Sequence, residues 1–233
     1  MFVAFAVGCF TMGHFAGAAR NDEGTLEAKK ILAESFELRD SDGNLCAWLY
    51  RGAKGEVLLT FYDNAKHPRL SMGLDEKGMP GVSFLGASSN VKMKWSTSPG
   101  ADTPSLDLYD EHGNPAISIG IGKQSVPALI VGSPGKPRVA VAVSEDGSPS
   151  IQLMDSKNRS RMELQVTADQ PVVTLKDEKQ SVRASWRLEA DGEPVLSLSD
   201  SNANQRLVVK TDKQGNPSIR FLDADKNLGR EIK

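Results

Sequence analysis

The sequence predicts an all-β protein made of tandem two-strand repeats of about 23 residues. Three observations predict it. The segments FELRD, LTFYD, VSFLG, LDLYD, LIVGS, IQLMD, VTLKD, LSLSD and IRFLD superimpose Asp40, Asp63, Gly86, Asp110, Ser133, Asp155, Asp177, Asp200 and Asp223 at spacings of 23, 23, 24, 23, 22, 22, 23 and 23. Glycine or asparagine recurs at steps near half that period. Between those positions apolar and polar residues alternate with period two, the signature of a strand with one apolar face.

The first 19 residues, Met1 to Ala19, carry no Asp, Glu, Lys or Arg and are rich in Phe, Ala, Val, Met and Gly. That length just reaches a bilayer-spanning helix, so an N-terminal hydrophobic helix and transmembrane anchor are expected. A signal peptide is the competing reading, since Ala16 to Ala19 supplies small residues for cleavage, although no basic residue precedes the apolar run. Val7-Gly8-Cys9 faintly resembles a lipoprotein signal, and Gly13 and Gly17 form a G-x-x-x-G pair that lets helices approach closely. Residues 20–34 read as a polar linker in which Thr25 caps a short helix over Leu26 to Glu34.

The repeat domain is expected over 35–233. Proline recurs at Pro80, Pro104, Pro127, Pro149, Pro171, Pro194 and Pro217, six residues before a repeat slot each time, which places it at strand starts where its missing donor is tolerated. The turn ladder runs through Gly43, Gly55, Gly78, Asn90, Gly113, Gly135, Gly147, Asn158, Gly192, Asn204, Gly215 and Asn227, residue types that accept a left-handed backbone. In its clearest copies, such as Asp40 to Gly43 and Asp75 to Gly78, it reads Asp-x-x-Gly: a type I turn closed by a left-handed residue, with the aspartate bonding back to turn amides. Both turns of a repeat then reverse the chain, so the strands form an antiparallel meander.

About 18 strands with one apolar face each cannot leave that face in water. A propeller requires four-stranded blades, and 18 strands do not divide into them. A membrane barrel requires strands of about 9 to 11 residues, longer than these. A sheet folded over on itself would serve a monomer. Three chains around a three-fold axis, each giving one wall of a β-prism or fibre, suit a uniform repeat best, so a homotrimer is expected.

With 28 basic against 30 acidic residues the chain is near neutral, and no nucleic-acid partner is expected. Cys9 and Cys46 are its two cysteines, too few for a disulfide framework or a cysteine zinc site, and His14, His67 and His112 are scattered. No catalytic, cofactor-binding or metal-binding residue stands out. Gly120-Ile121-Gly122 lies within an alternating strand and reads as close packing rather than a nucleotide loop. Asp40-x-Asp42-x-Asn44 and Asp223-x-Asp225-x-Asn227 imitate the start of a calcium loop but lack its closing glutamate. Arg69, Lys92, Arg161, Arg183 and Arg206, six residues after a slot, should form a column pairing with the acidic turns, with an anionic glycan as the sharper reading. Trp95 and Trp186 fall on the apolar face as core, whereas Trp48 falls on the other face beside Tyr50.

The chain from about Ala33 onward resembles a set of bacterial repeat proteins with an N-terminal apolar segment and tandem L-x-L-x-D-x-x-G-x-x-R … D-G-x-P units. The match is carried by Ile151 to Asp155 with Arg161, Val173 to Asp177 with Arg183, Leu196 to Asp200 with Arg206, and the turns Asp146 to Pro149 and Asp191 to Pro194. The middle copies depart, with Gly86 and Ser133 in the aspartate slot and Cys46 and Ala116 in the arginine slot. The chain is also similar in general look to trimeric phage tail fibres and adhesin stalks, which implies a structural or binding role. The expected function is a non-enzymatic, self-associating, membrane-anchored stalk or fibre, in the periplasm or on the cell surface. The alternatives are a β-repeat binding module for a glycan or protein and, further off, a trimeric polysaccharide-degrading enzyme.

Overall fold

The computed structural model describes residues 19–20, 26–27, 29–97, 103–133, 135–223, 225 and 227–232. Two short strands, β1 (Ala19–Arg20) and β2 (Leu26–Glu27), pair with each other. Leu26 and Glu27 are therefore extended rather than helical, which corrects the expected short helix. A stripe of two helical turns is too short to repay helix nucleation by itself. The expected transmembrane helix over 1–19 lies almost wholly outside the described residues, and no described helix is long and apolar enough to cross a membrane.

Eighteen strands follow in one antiparallel meander. The N-terminal nine are β3 (Ser35–Arg39), β4 (Leu45–Arg51), β5 (Val57–Tyr62), β6 (Pro68–Leu74), β7 (Pro80–Leu85), β8 (Val91–Thr97), β9 (Pro104–Tyr109), β10 (Pro115–Ile121) and β11 (Pro127–Ser133). The C-terminal nine are β12 (Lys136–Val143), β13 (Pro149–Met154), β14 (Ser160–Thr167), β15 (Gln170–Lys176), β16 (Val182–Leu188), β17 (Pro194–Ser199), β18 (Gln205–Thr211), β19 (Pro217–Leu222) and β20 (Leu228–Ile232). Six of the seven recurring prolines open their strands, and Pro171 stands second in β15.

The turns are built as the Asp-x-x-Gly pattern requires. At Asp75 the carboxylate Oδ1 accepts the amides of Lys77 (2.8 Å) and Met79 (2.9 Å), while the Gly78 amide donates to the Asp75 carbonyl at 2.9 Å and Gly78 is left-handed at φ 77°. Three rungs of the expected ladder, Asn90, Asn204 and Asn227, are displaced by one residue. In the first two turns the left-handed residues are Ser89 and Ala203. Each asparagine instead stands fourth after the slot, where its carbonyl accepts the slot amide, and the Asn204 amide bonds Asp200 Oδ1 at 3.0 Å.

Cross-strand registers resolve the two faces. One row runs unbroken through all eighteen strands: Phe36, Leu49, Leu59, Met72, Val82, Trp95, Leu106, Ile119, Leu129, Val141, Ile151, Leu164, Val173, Trp186, Leu196, Val209, Ile219 and Ile232. A parallel row two residues along each strand, from Leu38 through Phe61, Leu108 and Leu175 to Phe221, is apolar until Arg230 replaces it on β20. The opposite face carries Thr60, Ser71, Ser83, Lys94, Asp107 and Ser118 on successive strands.

Strand order runs as in a closed barrel, with β20 coming round beside β3. The residue-by-residue registers link the seventeen consecutive pairs from β3 to β20 and hold the first row nearly level, four residues before a slot on odd strands and nine after one on even strands, eight at Val141. Closing a sheet normally demands stagger, with strands tilted about 35–45°. All five residues of β3 are exposed, as are four of five in β20. The ring nonetheless closes, with β20 hydrogen-bonded beside β3, at a seam that adds no apolar core. Among the described residues, the only buried apolar side chains are Ala47 (6 % exposed) and Val195 (4 %).

Candidate functional site: an apolar belt and a polar clasp ladder

A folded chain of this size normally hides a core, but here the large apolar side chains lie in the open. Trp95 and Trp186, expected as core, are 61 % and 63 % exposed. The correction has a simple cause. In a single-layer sheet each side chain is flanked by neighbours but has no opposing layer. Two troughs run along the belt. One of about 460 Å³ lies among Trp95, Leu106, Ile119, Leu129 and Val141, and one of about 620 Å³ among Val141, Ile151, Leu164, Val173 and Trp186. They meet at Val141, making one apolar channel with a tryptophan toward each end.

The other face carries the basic column, each member placed by the turn before it. Arg69 lies 3.5 Å from Asp63, Arg161 3.3 Å from Asp155 and Arg183 3.5 Å from Asp177, and Arg206 Nε donates to Asp200 Oδ2 at 2.8 Å. These guanidiniums also tie one repeat to the next. Arg161 Nε donates to the Lys176 carbonyl (2.8 Å), and Arg183 Nε to the Ser199 carbonyl (2.9 Å), both just before the following slot. Arg159 adds a bond to the Glu178 carbonyl at 2.9 Å, and Arg138 one to the Asp155 carbonyl. The Arg159 guanidinium, first among several donors, holds the Asp155 carboxyl far below the usual carboxylate range. These half-buried pairs remain within reach of solvent and contribute modestly one at a time, but a carbonyl bond that joins repeats also fixes geometry.

The calcium-like triplets are spent on their own turns. Asp40 Oδ1 accepts the amides of Asp42 (3.0 Å) and Asn44 (2.8 Å), and Asp40 Oδ2 accepts Asn44 Nδ2 (3.0 Å). Among the described residues no group of three or more His, Cys, Asp or Glu stands ready to hold a metal ion. Gly120 serves close packing, since a Cβ there would stand 2.8 Å from the Pro104 carbonyl oxygen. Trp48 and Tyr50 stack at 4.1 Å between ring centroids. What sequence reasoning missed is the repeat-to-repeat bonding of the arginines, because their carbonyl acceptors carry no residue signature.

No protein-family model matches the chain, and no curated protein matches its sequence.

Proposed function

We propose that the protein is a structural, self-associating β-repeat element of the stalk or fibre kind. Three copies bring their apolar belts together about a common axis, with the clasp ladder facing water and residues 1–19 anchoring the assembly at a membrane outside the cytoplasm. The observation that carries this reading is the unbroken belt of eighteen apolar residues, eleven of them exposed and none buried. A lipid bilayer is a poorer cover. The apolar face is three rows wide at most, with Leu74, Ile121 and Leu188 in the third, and spans only about 14 Å, against a barrel's lipid-facing band of about 25 Å. The level register is also unlike that of a membrane barrel, whose strands are staggered.

Sedimentation of the full chain in density-matched detergent, joined to small-angle scattering, tests the reading. Three chains per particle with a rod-like profile are the expected result. A compact particle with one chain overturns it. A second reading, a binding module, draws on one feature of the polar face: a hollow of about 660 Å³ lined by Arg187, Lys210, Arg220 and Glu193, in which Glu193 Oε2 is buried without a hydrogen-bond partner. That reading expects a single chain stabilised by an oligosaccharide or protein ligand.

A further inference from the structure

The polar face repeats with one local departure. Its row from Ser35 through Tyr50, Leu58, Gly73 and Gly81 to Val172 crosses thirteen strands, β3 to β15, without a charge. It then meets Arg187 on β16 and Lys210 on β18, with the buried Val195 of β17 between them. Arg220 on β19 stands diagonally beside Lys210, two residues beyond its register partner Ser218. Three cations thus gather on adjacent strands, around the hollow of about 660 Å³.

Most of the charges there are already matched. Arg187 Nε and Nη2 donate to Glu189 Oε1 at 3.2 and 2.8 Å, and Arg220 Nε donates to Glu231 Oε1 at 2.8 Å. Lys213 pairs with Asp191 at 3.4 Å, which joins the turn before β17 to the turn before β19 at one end of the hollow. Two groups of opposite sign are left over. Lys210 forms no ion pair among the described residues, and Glu193 Oε2 is buried without a hydrogen-bond partner. Glu193 lies two residues before Val195, the register partner of Lys210, so the two are near neighbours that do not meet.

Resting on the binding-module reading of this hollow, we infer that it takes a sugar carrying both a carboxylate and an amine. The carboxylate sits between the Lys210 ammonium and the terminal nitrogens of Arg220, which have no partner among the described residues. The ammonium turns to Glu193, whose oxygen gains the donor it lacks when its side chain swings into the hollow. The C–H face of the ring covers Val195 and Val208. Net charge selects this ligand over simpler anions. Four basic and four acidic side chains line the hollow, so phosphate or an acidic peptide gains no net attraction, whereas a ligand of both signs matches both unmatched groups. The volume lies within the range of small-molecule sites, about 300–1,000 Å³, with room for one or two sugar rings.

Isothermal titration of the full chain in detergent tests this with three probes. Muramic acid carries both groups, N-acetylmuramic acid keeps only the carboxylate, and glucosamine keeps only the amine. Muramic acid is expected to bind at least tenfold more tightly than either. Lys210→Met should remove its advantage over glucosamine, and Glu193→Gln its advantage over N-acetylmuramic acid. Lys94→Met, on the same face but outside the hollow, should change neither. Circular dichroism melts separate lost binding from lost folding, and if a variant does not fold, the ranking of the three sugars on the unaltered chain still decides. Equal binding of all three, or tighter binding of a one-signed sugar, overturns the two-signed ligand, and the hollow stands as a binding site where Lys210→Met or Glu193→Gln weakens that binding. No binding of any probe to the folded chain, or binding that neither hollow variant changes, overturns both this inference and the reading it rests on.

Discussion

The middle of the meander and its C-terminal portion hold the same strands together by different means. From β6 to β11 four glycines sit inside strands; at Gly73, Gly120 and Gly132 the backbones approach too closely for a side chain, and at Gly81 a Cβ would stand a tight 3.3 Å from the Trp95 carbonyl oxygen. From β13 to β19 no strand contains a glycine, and repeats are tied instead by Arg159, Arg161 and Arg183 reaching the next repeat's carbonyls. In the middle, where the slots hold Gly86 and Ser133, the aspartate that would anchor such a clasp is missing. One sheet thus contains a steric region and an electrostatic region. The first should be intolerant of added atoms, and the second sensitive to protons and salt.

The largest effect should come from adding atoms to the steric region. Gly73 has φ 149°, and a Cβ there would collide with the Val57 carbonyl. Gly73→Val is expected to cost about 3 kcal/mol through backbone displacement and overpacking, read by urea denaturation. The matched change in the electrostatic region, Thr174→Val at mid-strand in β15, should be nearly neutral. Thr174 Oγ1 is buried without a partner, so removing it sacrifices no hydrogen bond. A costly Thr174→Val together with a silent Gly73→Val would erase the distinction.

Protons should act in the opposite sense. The Asp155 carboxyl is held down first by Arg159, while Asp177 and Asp200 are also lowered, the hydrogen bonds and arginines outweighing a desolvation that is the largest single influence on each. A carboxyl depressed on folding stabilises the folded state above its unfolded value of about 4, and that stabilisation is lost as pH falls through the folded value. Amide hydrogen exchange should therefore accelerate on acidification below pH ~4 in β14 to β18 before it does in β8 and β11, beside slots that have no aspartate to protonate. Uniform acceleration along the meander would show that the clasps carry no regional stability. Asp177→Ala should give the same regional loosening at neutral pH, together with a small fall in melting temperature.

How much of this was legible in the sequence follows from which features are local. Alternation and turn chemistry are local, and they place all eighteen strands, the proline starts and the two faces. The exchange of roles at Asn90 and Asn204 was not legible, because asparagine suits both the left-handed position and the next one, and only the bonding to Asp200 decides. The reach of Arg161 and Arg183 to backbone carbonyls was hidden because any residue supplies a carbonyl. The helix over Leu26 to Glu34 failed because two turns of apolar spacing also fit an extended segment. The return of β20 toward β3 depends on sheet curvature, which accumulates over many strands and leaves no mark in any one. The apolar belt reads alike whether its cover is the same chain or another, so what covers it had to be proposed.

A smaller test concerns turns that carry a side chain where glycine would be at ease. Ala203 is left-handed at φ 62° in the Asp200 turn, whereas Gly215 takes that place at φ 83° in the Asp212 turn. A left-handed Cβ costs about 1–2 kcal/mol, partly offset by the lower chain entropy of a non-glycine residue when unfolded. Ala203→Gly should stabilise by about 0.5 to 1 kcal/mol, whereas Gly215→Ala should cost a similar amount.

The smallest expected effect is the most informative about the comparison, because it moves the electrostatic device into the steric region. Gly86 occupies an aspartate slot, its amide donates to the Asn90 carbonyl at 2.8 Å, and Lys92 stands at the clasp position six residues on. Gly86→Asp adds a Cβ that would meet Asn90 Oδ1 at 2.5 Å and Lys92 Cε at 3.1 Å, both outer atoms of side chains that can rotate away. The new carboxylate could then accept the amides of Ser88 and Asn90, as Asp75 accepts those of Lys77 and Met79, and face the Lys92 ammonium. Lysine lacks the planar fork that lets Arg161 hold a carboxylate and a carbonyl together, so the gain should stay near ~0.5 kcal/mol. Gly86→Asp with Lys92→Arg should exceed the sum of the single changes and make this turn newly sensitive to acid. Strict additivity, with no acid response at the turn, would mean that the clasp depends on the local sheet geometry of the C-terminal repeats rather than on its two residues.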